Sequence, residues 1–140
     1  MNLLITSYFD EIEARFIASP VVISYQILRR EVTDTDGIVR LKADLSDSSQ
    51  GEFFENVIET NSEIKIRKYS FHWQDNEGKL IKRWDNAAHH KEFSDRHHLH
   101  LADGTVSEIS NPLNTIKLFL KLKLSWQTRG NKLCHLTQTN

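Results

Sequence analysis

"EIKIRKYSFHWQDNEGKLIKRWD", residues 63–85, decides the fold. Two runs rich in β-branched and aromatic residues flank "QDNEG", which has the composition of a tight turn. Residues 63–73 and 79–85 therefore read as two antiparallel strands joined by a hairpin. In the first, Tyr69, Phe71 and Trp73 share one face, and Ser70 and His72 the other. Ile64 and Ile66 are in phase with His72, not with Tyr69. The apolar face must switch along this strand, through a bulge or because both faces are partly covered. In the second strand Ile81, Arg83 and Asp85 alternate with Leu80, Lys82 and Trp84. Arg83 and Asp85 are then neighbours on one face, close enough to bridge each other or to act together. An arginine at a strand end can also grip a phosphate with two hydrogen bonds.

The same punctuation runs upstream. "VVISYQILRREV" (21–32), "IVRLKADL" (38–45) and "EFFENVIE" (52–59) read as strands, separated by the turn-like "TDTDG" and "SDSSQG". Val39, Leu41, Ala43 and Leu45 alternate with Arg40, Lys42 and Asp44, a half-buried pattern. Before them, Leu4, Ile5, Tyr8, Ile12 and Phe16 recur at helical spacing over residues 3–18, and Pro20 stops that helix. Downstream, "LHLADGTVSEI" (99–109) suits one more short strand or a hairpin. Asn111 and Pro112 then open a second helix with the stripe Leu113, Ile116, Leu120 and Leu124. Its lysines, Lys117, Lys121 and Lys123, form either a solvated surface or a basic contact for nucleic acid or an acidic partner. The expected architecture is α+β: an N-terminal helix, an antiparallel sheet of about five or six strands, and a C-terminal helix packed on the sheet. Residues 1–125 form a single domain, and 126–140 a polar, flexible tail.

Composition narrows the class. The chain has 140 residues, 26% of them charged, and a formal net charge of -1. It is long enough to bury a core without staples, and it lacks the global positive charge that draws a protein to nucleic acid. Cys134 is the single cysteine, so a disulfide framework is excluded. The N-terminus lacks the basic start and unbroken apolar stretch of a signal peptide. No apolar run approaches the ~20 residues of a membrane span. A cytoplasmic protein without membrane contact is expected.

"RWDNAAHHKEFSDRHHLH" (83–100) holds His89, His90, His97, His98 and His100, five of the seven histidines. Such crowding admits three readings besides a polar loop. Zinc needs three or four converging ligands, and these histidines with Asp85 and Asp95 could supply them. The spacing matches no compact zinc motif, however, and no cysteine stands nearby. A histidine pair can also serve as acid and base in one step. RNA cleavage through the 2′-hydroxyl needs a base, an acid and a cation to steady the phosphate, and Arg83 is that cation. This chemistry calls for no metal and no cofactor. Third, the segment could belong to a non-enzymatic binding surface. Tyr69 and Trp73 are either core or a base-stacking platform.

"YSFHWQDNEGKLIKRWDNAAHH…RHHLH" resembles the TumE family of toxin–antitoxin toxins, small prokaryotic proteins encoded beside an antitoxin. In that family an aromatic strand and hairpin precede Arg-aromatic-Asp-Asn-Ala-Pro-His-His, followed by Pro-His-His-x-His. This chain matches at Tyr69, His72, Arg83, Trp84, Asp85, Asn86, Ala87, His89 and His90, then at His97, His98 and His100. The resemblance spans roughly residues 20 to 105. Ala88 and Arg96 stand where the family has proline, which would fix the backbone entering each histidine pair.

The resemblance implies a growth-inhibiting toxin neutralised by a cognate antitoxin, and RNA is the target expected by analogy. His89, His90, His97, His98, His100, Arg83 and Asp85 are then the candidate catalytic residues of a ribonuclease. Tyr69, His72, Trp73, Trp84, Lys117 and Lys121 are the candidate RNA contacts. The alternatives are a non-enzymatic module binding RNA, the ribosome or a protein, and a metal-dependent nuclease or hydrolase using the same histidines. The open edges of such a sheet would admit an antitoxin strand or a homodimer.

Overall fold

The computed structural model describes residues 1–87, 97–109 and 114. Helix α1 (Leu3–Ala18) is followed by seven strands: β1 (Val22–Val32), β2 (Asp36–Leu45), β3 (Gln50–Thr60), β4 (Glu63–Gln74), β5 (Leu80–Asp85), β6 (His98–Leu101) and β7 (Val106–Glu108). They form one sheet in chain order, every neighbouring pair antiparallel. The α+β class and the N-terminal helix agree with expectation, but the strand count exceeds the expected five or six. The difference lies in residues 98–108, which close into a hairpin. Gly104 sits at φ 88°, in the region glycine tolerates, and Thr105 N donates to Asp103 Oδ1. The C-terminal helix expected from Asn111, with Lys117 and Lys121, and the tail from 126 lie outside the described residues.

Helix α1 is capped by Asn2, whose side-chain oxygen accepts from Ile5 N at 3.0 Å. Ile5, Phe9, Ile12 and Phe16 are buried against β1, β2 and β3. Leu4, expected inside, is exposed, and Phe9 takes the inward place. Close approach at the helix start depends on Gly37. A Cβ there would lie 2.5 Å from Ile5 Cγ2 and 2.9 Å from the Phe9 ring. Arg30 on β1 ties the helix down through Asp10 and Glu13.

On the helix-covered face, Val39, Leu41, Ala43 and Leu45 are all buried, as their alternation predicts. Phe16 meets Phe53 edge-on at 5.0 Å, and Phe53 continues to Phe71. Phe71 pairs across the strands with both Phe53 and Trp84. Glu55 is the polar exception, accepting from the Tyr8 hydroxyl at 2.8 Å. Burial first, then the Glu55 charge, pushes the Tyr8 hydroxyl far above its ordinary pKa.

The face switch in β4 has a local cause. Lys68 pairs with Asn56 while Ile66 pairs with Val57, so Arg67 is an extra residue. This bulge inverts the phase and turns Ile64 and Ile66 onto the same core as Tyr69 and Phe71.

Candidate functional site

The opposite sheet face is polar, and its register brings distant residues into two rows. One runs Lys42, Glu52, His72, Arg83 and His100 across β2 to β6. The other runs Arg40, Phe54, Ser70, Asp85 and His98. Arg83 therefore stands between two histidines on neighbouring strands.

Asp85 organises this region. It is 3% exposed, at the end of β5. Its Oδ2 accepts from Arg83 Nε at 3.0 Å and lies 3.1 Å from His100 Nε2. Its Oδ1 accepts from Ala87 N at 3.3 Å and lies 3.5 Å from His98 Nδ1. Burial alone would raise the Asp85 pKa. The hydrogen bonds from Arg83 and Ala87, with the charges of His100 and Arg83, outweigh it and hold the carboxyl below its ordinary value. Asp85 is thus an anion set between Arg83 and His100. Arg83 Nη1 also reaches His72 Nδ1 at 3.4 Å.

The next residue fastens the end of β5. Tyr69 N donates to Asn86 Oδ1 at 2.9 Å, and Asn86 Nδ2 donates to the Arg67 carbonyl at 3.1 Å. The side-chain amide thus spans the β4 bulge where strand pairing ends, and it fixes the chain that leaves Asp85.

A groove of about 390 Å³ opens over these rows, within the size range of ligand clefts. Arg40, Glu52, Phe54, Lys68, His72 and Arg83 are among its lining residues, as is Asp85. Of these, Arg40, Glu52, Phe54 and Lys68 escaped notice in the sequence. Arg40 and Glu52 form an ion pair at 2.9 Å, and the Arg40 guanidinium lies 4.6 Å from the centre of the Phe54 ring.

The structure divides the expected site. Arg83, Asp85, His72, His98 and His100 come together on the polar face. His97 points to the other face, where its Nδ1 meets the Tyr69 hydroxyl at 2.8 Å and its ring stacks on Tyr69 at 5.7 Å. Strand alternation therefore separates the adjacent pair His97 and His98. Tyr69, Trp73 and Trp84 are buried with the core, and of the three Tyr69 is among the residues lining the groove. Trp73 donates from Nε1 to Ser49 Oγ at 2.9 Å. His89, His90, Ala88 and Arg96 lie outside the described residues. Among those described, no three His, Cys, Asp or Glu side chains are disposed to hold a metal ion, and no helix is long and apolar enough to cross a membrane.

A family model described as toxin TumE matches residues 12–131, most of the chain. No curated protein and no solved structure matches it.

Proposed function

The chain belongs to the TumE toxin family, and from that premise we propose that it acts on RNA as a metal-independent ribonuclease held in check by its cognate antitoxin. Membership makes it a toxin of a toxin–antitoxin system. The ribonuclease reading is supported by one observation above others: a buried carboxylate, Asp85, contacts both Arg83 and His100, and shares a groove with Arg83 and His72.

Each group has a role in transesterification through the 2′-hydroxyl. Arg83 turns its guanidinium to the scissile phosphate and so leaves His72 Nδ1. His72 takes the 2′-hydroxyl proton, and the 2′-oxygen attacks phosphorus. Arg83 neutralises the charge that builds on the phosphoryl oxygens. His100, in its protonated form beside Asp85, gives its proton to the departing 5′-oxygen. The P–O5′ bond breaks, leaving a 2′,3′-cyclic phosphate and a 5′-hydroxyl. Asp85 and His98 position His100 and Arg83. His97, held by Tyr69, shapes the entry to β6. His89 and His90, between β5 and β6, are further proton-transfer candidates, and Lys117 and Lys121 further phosphate contacts. The antitoxin is expected at a sheet edge, since β1 has a strand partner on one side only among the described residues. A homodimer would compete for the same edge.

Purified protein incubated with RNA and EDTA tests the reading. Cleavage with cyclic phosphate ends is expected. Cleavage that needs an added divalent cation would replace it with metal-dependent hydrolysis. If RNA stays intact with and without metals, the ribonuclease reading is wrong.

A further inference from the structure

The groove extends well beyond the histidines, to a pair of residues that the proposed chemistry leaves unused. Phe54 is an aromatic side chain on a polar sheet face, half-buried, with its cross-strand neighbours Arg40 on β2 and Ser70 on β4. Arg40 lies over its ring at 4.6 Å. Glu52, on the same strand as Phe54, accepts from Arg40 Nη1 at 2.9 Å and holds the guanidinium there. The result is a planar cation laid on an aromatic ring and tethered from the side. A guanidinium plane fixed in this way is a surface on which a nucleobase stacks.

The bland explanation is that Arg40 and Phe54 only stabilise the sheet, as such pairs do on many surfaces. Their position argues for more. They line the same groove as Ser70, His72, Arg83 and Asp85. Phe54 on β3 is two strands across and two residues along from Arg83 on β5, about 12 Å at the usual strand spacing and rise. That is the scale of one nucleotide, from its phosphate across the sugar to the base. Ser70 lies between them, in line with both Phe54 and Asp85, where a sugar would pass. Lys68 lines the groove too and adds positive charge near the base end.

We propose that Arg40 and Phe54 form a nucleobase-stacking subsite, which takes the base of the nucleotide whose phosphate is held at Arg83. This inference rests on the reading of the groove as an RNA site and adds where the base goes. Recognition is by the face of the base, not its edge, so the subsite tolerates all bases and holds purines best for their larger face.

The test compares adenosine 5′-monophosphate with ribose 5-phosphate, which lacks the base, by calorimetric titration. Wild type is expected to bind the nucleotide about tenfold or more tightly than the sugar phosphate, given the stacking energy of one base. Phe54→Leu keeps the bulk but not the ring, and should abolish that preference while leaving ribose 5-phosphate affinity within twofold. Phe54→Trp should restore it. Arg83→Gln should weaken both ligands alike. If Phe54→Leu does not fold, Arg40→Gln carries the same expectation. The proposal is overturned if wild type binds both ligands equally, or if the nucleotide preference survives both Phe54→Leu and Arg40→Gln. The two readings fail separately. RNA cleavage in EDTA with no base preference in binding removes the subsite and keeps the ribonuclease. A base preference lost in Phe54→Leu, without any RNA cleavage, keeps the subsite and removes the ribonuclease.

Discussion

The two faces of the sheet are made by the same strands and differ in almost every other respect. The helix-covered face carries Val39, Leu41, Phe53, Phe71 and Trp84, packed against Ile5, Phe9, Ile12 and Phe16. The open face carries Arg40, Glu52, His72, Arg83 and His100, interleaved residue by residue with the first set. Alternation along a strand thus assigns packing to one face and, in the proposed function, chemistry to the other. Asp85 belongs to the open face, yet it is as buried as the core. It is therefore where the two roles meet.

Substitutions should respect that division. The largest expected cost falls on the covered face. Phe71→Ala should lower stability by about 3–5 kcal/mol, since its ring fills the space between Phe53 and Tyr69. Urea unfolding of the purified variant measures this.

Asp85→Asn should cost about 1.5–3 kcal/mol at pH 7, because charge-assisted hydrogen bonds from Arg83 and Ala87 are weakened. The carboxyl's pKa is lowered in the folded chain, so its contribution is fully present above the ordinary aspartate value of about 4. That contribution is lost as pH falls through the lower folded value. The gap between wild type and Asp85→Asn should therefore close below about pH 4, and unfolding curves from pH 7 to pH 2 would reveal it. A gap that widens in acid would contradict the assigned charge state.

Gly37→Ala should destabilise by about 1–3 kcal/mol, since the added methyl meets Ile5 and Phe9 and pushes the helix away from β2. Thermal unfolding checks it. Smallest of all, Asn86→Ala should cost about 1 kcal/mol by leaving the β4 bulge without its amide bridge. Hydrogen exchange at the Tyr69 amide should quicken in that variant.

Much of the covered face could be read from residue order alone. The alternation in "IVRLKADL" and the 3.6-residue period of residues 3–18 are local signals, and both elements formed where expected. The phase break between Ile66 and Tyr69 admitted a bulge or two partly covered faces, and the extra residue Arg67 is the bulge that turns both sets inward. Leu4 and Phe9 were harder to assign. Both fit an apolar helix face, and the winner depends on how α1 sits over Gly37, a tertiary fact. The hairpin at 98–108 was visible only as a short apolar stretch with Asp-Gly, too little to count strands.

The open face was legible only in part. Arg83 and Asp85 fall on one face by alternation, and their pairing follows. His72 joins them only through the β4–β5 register, and Arg40 and Phe54 only through two further registers. Register depends on turn geometry, which residue types constrain loosely. Counting out from Asn61 and Ser62 as a tight turn would have put Tyr69 opposite Phe54, because the Arg67 bulge shifts the register by one residue. The histidine crowd divides on the strand, because adjacent residues face opposite ways: His97 meets Tyr69, and His98 lies beside Asp85.

The most direct measurement takes Arg83→Gln and wild type side by side, following unfolding and RNA cleavage in EDTA on the same preparations. Arg83 is partly exposed, and the account predicts that its loss leaves the fold intact while cleavage falls by about 10²–10³. A folded Arg83→Gln protein that cuts RNA as fast as wild type would contradict the assignment of the chemistry to the open face.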